Sequence, residues 1–187
     1  MLIKRGYRVT EMKNVVLIGF MGTGKTSTGR ILANKLGYAF TDLDQKIEAE
    51  AKMSIKDMFA RYGEAYFRDK EKDMVCRMAA KFNLVISTGG GTVKNPENMT
   101  ELRKHGTIIC LTADVDTILE RTGRRGKRPV LDQADQGDRR AAVSRLMEER
   151  QELYAHADHM VDTSKLSPMQ VTEDILHFLK REGAVRA

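Results

Sequence analysis

Short apolar runs alternate with longer stretches of helical periodicity from one end of the chain to the other. The apolar runs at 14–18, 38–41, 84–87, 107–111 and, with weaker patterning, 159–161 predict strands. Helical spacing predicts helices over 25–36, 43–50, 54–62, 64–81, 96–105, 115–122, 139–156 and 168–181. Strand–helix alternation of this kind predicts an α/β domain built on a mostly parallel sheet. Ligands of such sheets bind beyond the carboxyl ends of the strands, so residues that follow strands carry the most weight. One segment breaks the pattern. Residues 122–137 are polar, basic at their start and without periodicity, and a loop of that length is read as a lid. Residues 1–187 are expected to form a single domain, with 1–13 as an N-terminal extension and the lid at about 122–137.

Composition narrows the class. With 41% hydrophobic and 31% charged residues, a chain of 187 can bury a core without disulfides or metals as staples. Cys76 and Cys110 form no CxxC pair, which predicts reduced structural thiols and a cytoplasmic setting. The longest apolar run, 15–21, is interrupted by Gly19 and is too short to cross a bilayer, so no membrane partner is expected. A net charge of +6 suits either a polyanion binder or an enzyme that handles phosphates.

The sequence after the first strand separates these. Gly19-Phe20-Met21-Gly22-Thr23-Gly24-Lys25-Thr26 fits GxxxxGK[ST] between a strand and a helix. Glycines let the backbone curl so that N–H groups point at phosphates, and the N-terminus of the following helix adds positive potential. Lys25 would reach the β- and γ-phosphates, and the Thr26 hydroxyl would ligate Mg²⁺. A GTPase would need Asn-Lys-x-Asp after a strand, but Asn34-Lys35 lies inside the first helix and runs into Leu36-Gly37. An ATPase motor would end an apolar strand in Asp or Asp-Glu, whereas 84–86 runs into Ser87-Thr88-Gly89-Gly90-Gly91.

Other positions suggest an acceptor. Asp42 and Asp44 follow the second strand; in an extended chain they would point the same way, one toward Mg²⁺ and one toward an attacking hydroxyl. The alternative is that one of them merely caps the next helix. Arg68 and Glu71 share a helix face, either as a solvated pair or as an oriented fork for a substrate carboxylate. Gly89, Gly90 and Gly91 let a ligand press against the main chain, or else form a plain turn. Arg121 and Arg128 flank the start of the lid, and Arg150 follows it. A lid arginine can stabilise charge on a transferring phosphoryl group, while the run 124–128 could equally be a solvated face. The four histidines show no metal-ligand spacing.

Together these motifs resemble the shikimate kinase family, P-loop small-molecule kinases related to the nucleoside-monophosphate kinases. The resemblance runs over roughly 14–179, carried by GFMGTGKT (19–26), DLD (42–44), GEAYFRDKE (63–71), STGGGTV (87–93), RTGRRGKRPVL (121–131) and RQELY (150–154). It implies a three-layer fold with a five-stranded parallel sheet of order 2-3-1-4-5 and a mobile lid. It implies ATP-dependent phosphorylation of the 3-hydroxyl of shikimate, in the route to chorismate and aromatic amino acids. Gly22, Thr23, Gly24, Lys25, Thr26 and Ser27 would hold the nucleotide, with Arg121 stacking on adenine and Arg128 reaching the phosphates from the lid. Thr26 and Asp42 would serve Mg²⁺. Asp44, Arg68, Gly89, Gly90, Gly91 and Arg150 would bind shikimate, with Glu71 orienting Arg68; Lys25, Asp44 and Arg128 would be catalytic.

The departures are small. The family usually has Ser where Thr26 stands, and either hydroxyl can bind Mg²⁺. Residues 1–13 lie outside the family pattern, residues 133–137 are not diagnostic, and the adenine contacts near 166–168 are loosely fixed. The expected partners are ATP and shikimate, with no nucleic acid and no membrane, and the expected state is a monomer. The nearest rivals are a gluconate or nucleoside-monophosphate kinase on the same scaffold. A rival of another class is an ATP-responsive nucleic-acid-binding protein, which would show steeply salt-dependent polyanion binding.

Overall fold

The computed structural model describes residues 13–123 and 139–185. Five strands form one parallel sheet: β1 (Asn14–Gly19), β2 (Ala39–Asp42), β3 (Leu84–Ser87), β4 (Gly106–Thr112) and β5 (His159–Asp162). Their order is β2-β3-β1-β4-β5, as the resemblance implies. β1 is buried along its whole length. Its alternate residues serve opposite faces. Val16 and Ile18 join a core with Leu43, Met58, Phe67 and Met74, while Val15 and Leu17 join a second core with Leu32, Ile175 and Phe178. A strand covered on both sides has no need of polar alternation, which is why its sequence is a continuous apolar run.

Seven helices cover the sheet among the described residues: α1 (Lys25–Leu36), α2 (Leu43–Ala51), α3 (Ile55–Ala79), α4 (Pro96–Lys104), α5 (Val115–Arg121), α6 (Arg139–Ala155) and α7 (Pro168–Arg181). α7 starts on a capping box in which Ser167 and Gln170 satisfy each other's backbone N–H groups, with Pro168 in its first turn. α3 passes through Gly63, whose φ of 81° and ψ of 170° are not helical. The pattern predicts two helices broken at 63, and the structure has that break as a kink in one continuous element. Only glycine reaches this conformation at low cost. The predicted helix to 81 stops earlier, at Ala79. β2 runs one residue further than the pattern predicts, ending on Asp42.

Cys110 is buried in β4 and Cys76 is exposed, both as free thiols. Among the described residues no helix is long and apolar enough to cross a membrane. Apart from Thr122 and Gly123, the predicted lid with Arg128 lies outside the described residues, as does the extension up to residue 12.

Candidate active site

Because all five strands are parallel, their carboxyl ends share one edge of the sheet, and a cleft of about 1010 Å³ opens there. Gly22, Gly24, Lys25, Thr26, Ser27, Asp42, Asp44, Gly90 and Arg121 line it, alongside residues from the start of α3. The phosphate loop leaves β1 at Gly19 and enters α1 through Gly24, whose φ of 92° lies in the left-handed region open to glycine. Lys25 is buried, and its Nζ donates to the carbonyls of Gly19 and Phe20, both at 2.8 Å. Arg121 clasps the loop from the other side, donating to Gly22 O at 3.3 Å, to Thr163 Oγ1 at 2.9 Å and to Thr163 O at 2.8 Å.

Asp42 and Asp44 do not stand on an extended chain. Asp42 ends β2 and caps α2, its Oδ1 accepting from Gln45 N at 3.2 Å, so the chain turns helical and Asp44 falls in the first turn. Capping is thus one duty of Asp42 and not its only one. Its Oδ2 accepts from Thr26 Oγ1 at 2.8 Å and from Ser87 Oγ at 3.3 Å. Asp44 has a different environment. Its Oδ1 is shielded from solvent without a hydrogen-bond partner among the described residues. Burial, then the carboxylates of Asp42 and Glu71, push its pKa up to about 7 against the pull of Lys25, with Glu48 adding to the rise.

The glycine triplet explains how these groups converge. A Cβ on Gly89 would stand 2.7 Å from Asp44 Oδ1, and one on Gly91 would stand 2.7 Å from Arg68 Nη2. Gly90 accepts on its carbonyl from Arg150 Nη1 at 2.8 Å and from Tyr154 Oη at 3.2 Å. Gly89 and Gly91 therefore each admit one charged side chain, while Gly90 holds Arg150 through its backbone carbonyl. Of the three, Gly90 lines the cleft, and at Gly89 and Gly91 the protein's own carboxylate and guanidinium lie where a Cβ would stand.

Arg68 Nη1 donates to Glu71 Oε2 at 2.7 Å, and Glu71 is buried. The pair is thus not the solvated surface contact considered as its alternative. On its outer side Arg68 also donates to Glu64 Oε1, from Nε at 3.0 Å and from Nη2 at 2.8 Å. Arg150 is buried with its guanidinium 5.3 Å from the Phe20 ring centroid, and its Nε has no hydrogen-bond partner among the described residues. A buried unpaired donor on an arginine is costly unless a ligand completes it.

Sequence reasoning misses Ser87, Thr163, Tyr154 and Thr92 as parts of this arrangement. Tyr154 had a signal, since it follows Arg150 by one helical turn. Thr92 had none, because its partner, Glu71, lies 21 residues away in the chain.

A family model described as shikimate kinase matches residues 21–180. A shikimate kinase of Pelotomaculum thermopropionicum is 46% identical over 174 residues, spanning 93% of this chain and 99% of that protein. Among solved structures, a shikimate kinase from Acinetobacter baumannii in complex with shikimate superposes with a TM-score of 0.87 at 31% identity. That match covers 91% of this chain and 94% of the other. The shikimate kinase of Aquifex aeolicus vf5 matches with a TM-score of 0.78 at 33% identity, over 91% and 98% of the two chains.

Proposed function

The chain belongs to the shikimate kinase family, and from that membership we infer that it transfers the γ-phosphoryl group of ATP to the 3-hydroxyl of shikimate. The products are shikimate 3-phosphate and ADP, in the route to chorismate and aromatic amino acids. The observation that supports the acceptor half is the glycine triplet, on which Asp44, Arg150 and Arg68 close side by side. One carboxylate for a hydroxyl and two guanidinium groups for a carboxylate suit a hydroxy acid of shikimate's kind. The same proposal takes the enzyme to act as a cytoplasmic, single-domain monomer.

In this mechanism the backbone N–H groups of Gly22, Thr23, Gly24, Thr26 and Ser27 cradle the phosphates. Lys25 carries its ammonium to the transferring group. Asp44 accepts a hydrogen bond from the acceptor hydroxyl. As the hydroxyl oxygen bonds to the γ-phosphorus and the bridge to ADP breaks, Asp44 takes the proton and passes it to solvent. Arg68 and Arg150 fix the acceptor carboxylate, which sets the angle of attack. Arg128, from the lid sequence, adds positive charge at the phosphates, and Arg121 supports the adenine end.

Mg²⁺ is part of the proposal. Thr26 Oγ1, Asp42 Oδ2 and Ser87 Oγ form an oxygen-only cluster beside the phosphate loop, which suits a hard cation that keeps several waters. Among the described residues no group of three or more His, Cys, Asp or Glu could hold a metal, so Thr26 and Asp42 would share the ion with phosphate oxygens and water. When bound, the ion would neutralise charge on the β- and γ-phosphate oxygens.

The test is ADP release from ATP with shikimate, gluconate, nucleoside monophosphates or no acceptor, each with Mg²⁺ or with EDTA. Shikimate with Mg²⁺ is expected to stimulate release strongly, with the other acceptors and the EDTA samples at background. Stimulation by another acceptor instead would keep the phosphate loop and overturn the roles of Arg68 and Arg150. Arg68→Ala is expected to raise KM for shikimate by roughly 10- to 100-fold, the worth of a hydrogen-bonded charge pair, with KM for ATP within about twofold. An equal loss for both substrates would remove Arg68 from the acceptor site.

A further inference from the structure

Thr92 is fully buried at the start of the short 3₁₀ turn Thr92–Lys94, immediately after the glycine triplet. Its Oγ1 donates to Glu71 Oε1 at 2.6 Å, while Glu71 Oε2 accepts from Arg68 Nη1 at 2.7 Å. Glu71 is 1% exposed, so its carboxylate is held almost wholly by protein groups. We propose that Thr92 is a positioning residue for the acceptor arginine, acting through Glu71. This deepens the assignment of Arg68 to the substrate carboxylate and rests on it.

The physical case starts from what each anchor of Arg68 can hold. Glu64 grips the outer edge of the guanidinium, but its side chain is 57% exposed, and exposed pairs are weak and mobile. Glu71 is the rigid anchor, and a buried carboxylate keeps one rotamer only if both its oxygens find donors. Arg68 satisfies one oxygen and Thr92 the other.

The turn that carries Thr92 is itself fixed, with Thr92 N donating to Gly89 O at 3.3 Å and Lys94 N to Gly91 O at 3.0 Å. The backbone that leaves room for Arg68 at Gly91 therefore also aims the carboxylate that orients it. Without the hydroxyl, Glu71 Oε1 loses this donor in a dry site, and the carboxylate turns to recover one. Arg68 then follows either Glu71 or Glu64 away from its place over Gly91.

Three variants and one structure test this. Thr92→Val keeps the shape and removes the hydroxyl; Thr92→Ser keeps the hydroxyl and removes the methyl. Thr92→Val is expected to raise KM for shikimate about tenfold, the lower range for a hydrogen bond to a charged group, with KM for ATP within about twofold. Thr92→Ser is expected to stay within about threefold of the wild type for both substrates. On an Arg68→Ala background, Thr92→Val is expected to add nothing, because the two act in series. A Thr92→Val enzyme with unchanged shikimate KM and Arg68 still in place, a matching rise for ATP, or a failure of Thr92→Ser to bind shikimate like the wild type would each overturn the positioning role.

A crystal structure of the Thr92→Val protein separates this failure from that of the functional reading. Arg68 still in place on Glu71 overturns the positioning role whatever the acceptor is. Arg68 displaced with unchanged shikimate KM overturns the acceptor role of Arg68, while Thr92 keeps its hold on the arginine. Should Thr92→Val not fold, Thr92→Ala goes through the same assays and the same structure determination, with the same outcomes deciding.

Discussion

Lys25→Ala is expected to lower kcat by about a thousandfold or more, on the scale of removing a cation that faces a transferring phosphoryl group. The ammonium is buried and, without nucleotide, is tied to the Gly19 and Phe20 carbonyls at the mouth of the phosphate loop. It is therefore already desolvated, and it exchanges these carbonyls for phosphate oxygens when the nucleotide arrives. The loss has a second component. Lys25 pulls the Asp44 pKa down against burial and three carboxylates, so its removal leaves Asp44 more protonated at neutral pH. A protonated Asp44 cannot take a proton from the acceptor hydroxyl. Steady-state kcat at saturating ATP and shikimate checks this, alongside a melting curve to show that the variant is folded. Near-normal turnover would sink the phosphate-loop assignment.

The two halves of the site differ in how far the sequence discloses them, and the reason is physical. The phosphate loop is legible because strand, glycines, lysine and helix start are contiguous, so local chemistry dictates local structure. The break at Gly63 is legible for the same reason. The acceptor half is assembled from four separate elements. Arg68 and Glu71 lie in α3, Asp44 in α2, Arg150 in α6 and the triplet after β3, so only tertiary packing brings them together. The resemblance names these residues without explaining why they meet. The glycine contacts explain it: Gly89 admits Asp44, and Gly91 admits Arg68. Asp44 lines the cleft, but not by the extended chain that the pattern suggests. The capping side chain of Asp42 converts the expected extended run into a helix, and Asp44 reaches the site from its first turn.

Asp44→Asn is expected to do two opposite things: reduce kcat by about a thousandfold and make the free protein more stable. The activity loss follows from the base role, since an amide keeps the shape but takes no proton, and it lies within the range for general-base catalysis. The stability gain follows from the sign of the pKa shift. The carboxyl moves from its ordinary value of 3.8 to about 7 in the folded protein, so the folded state binds a proton that the unfolded chain has released. Where the folded state holds more protons, stability falls as pH rises. The wild type thus loses stability progressively between about pH 4 and 7, and above that carries the full cost of a buried carboxylate beside Asp42, Glu71 and Glu48. An uncharged side chain removes that cost. The gain of Asp44→Asn is therefore near zero at about pH 4 and largest at about pH 8, on the order of 4 kcal/mol or a melting shift of roughly 10 °C. Melting curves of both proteins across this range, without nucleotide or metal, provide the check. A variant that loses activity without becoming more stable at pH 8 would show that Asp44 carries no stored electrostatic cost. A variant that gains stability while keeping its turnover would show that the buried carboxylate is not the base. The combination of the two effects is what a residue held unfavourably for its chemistry should produce.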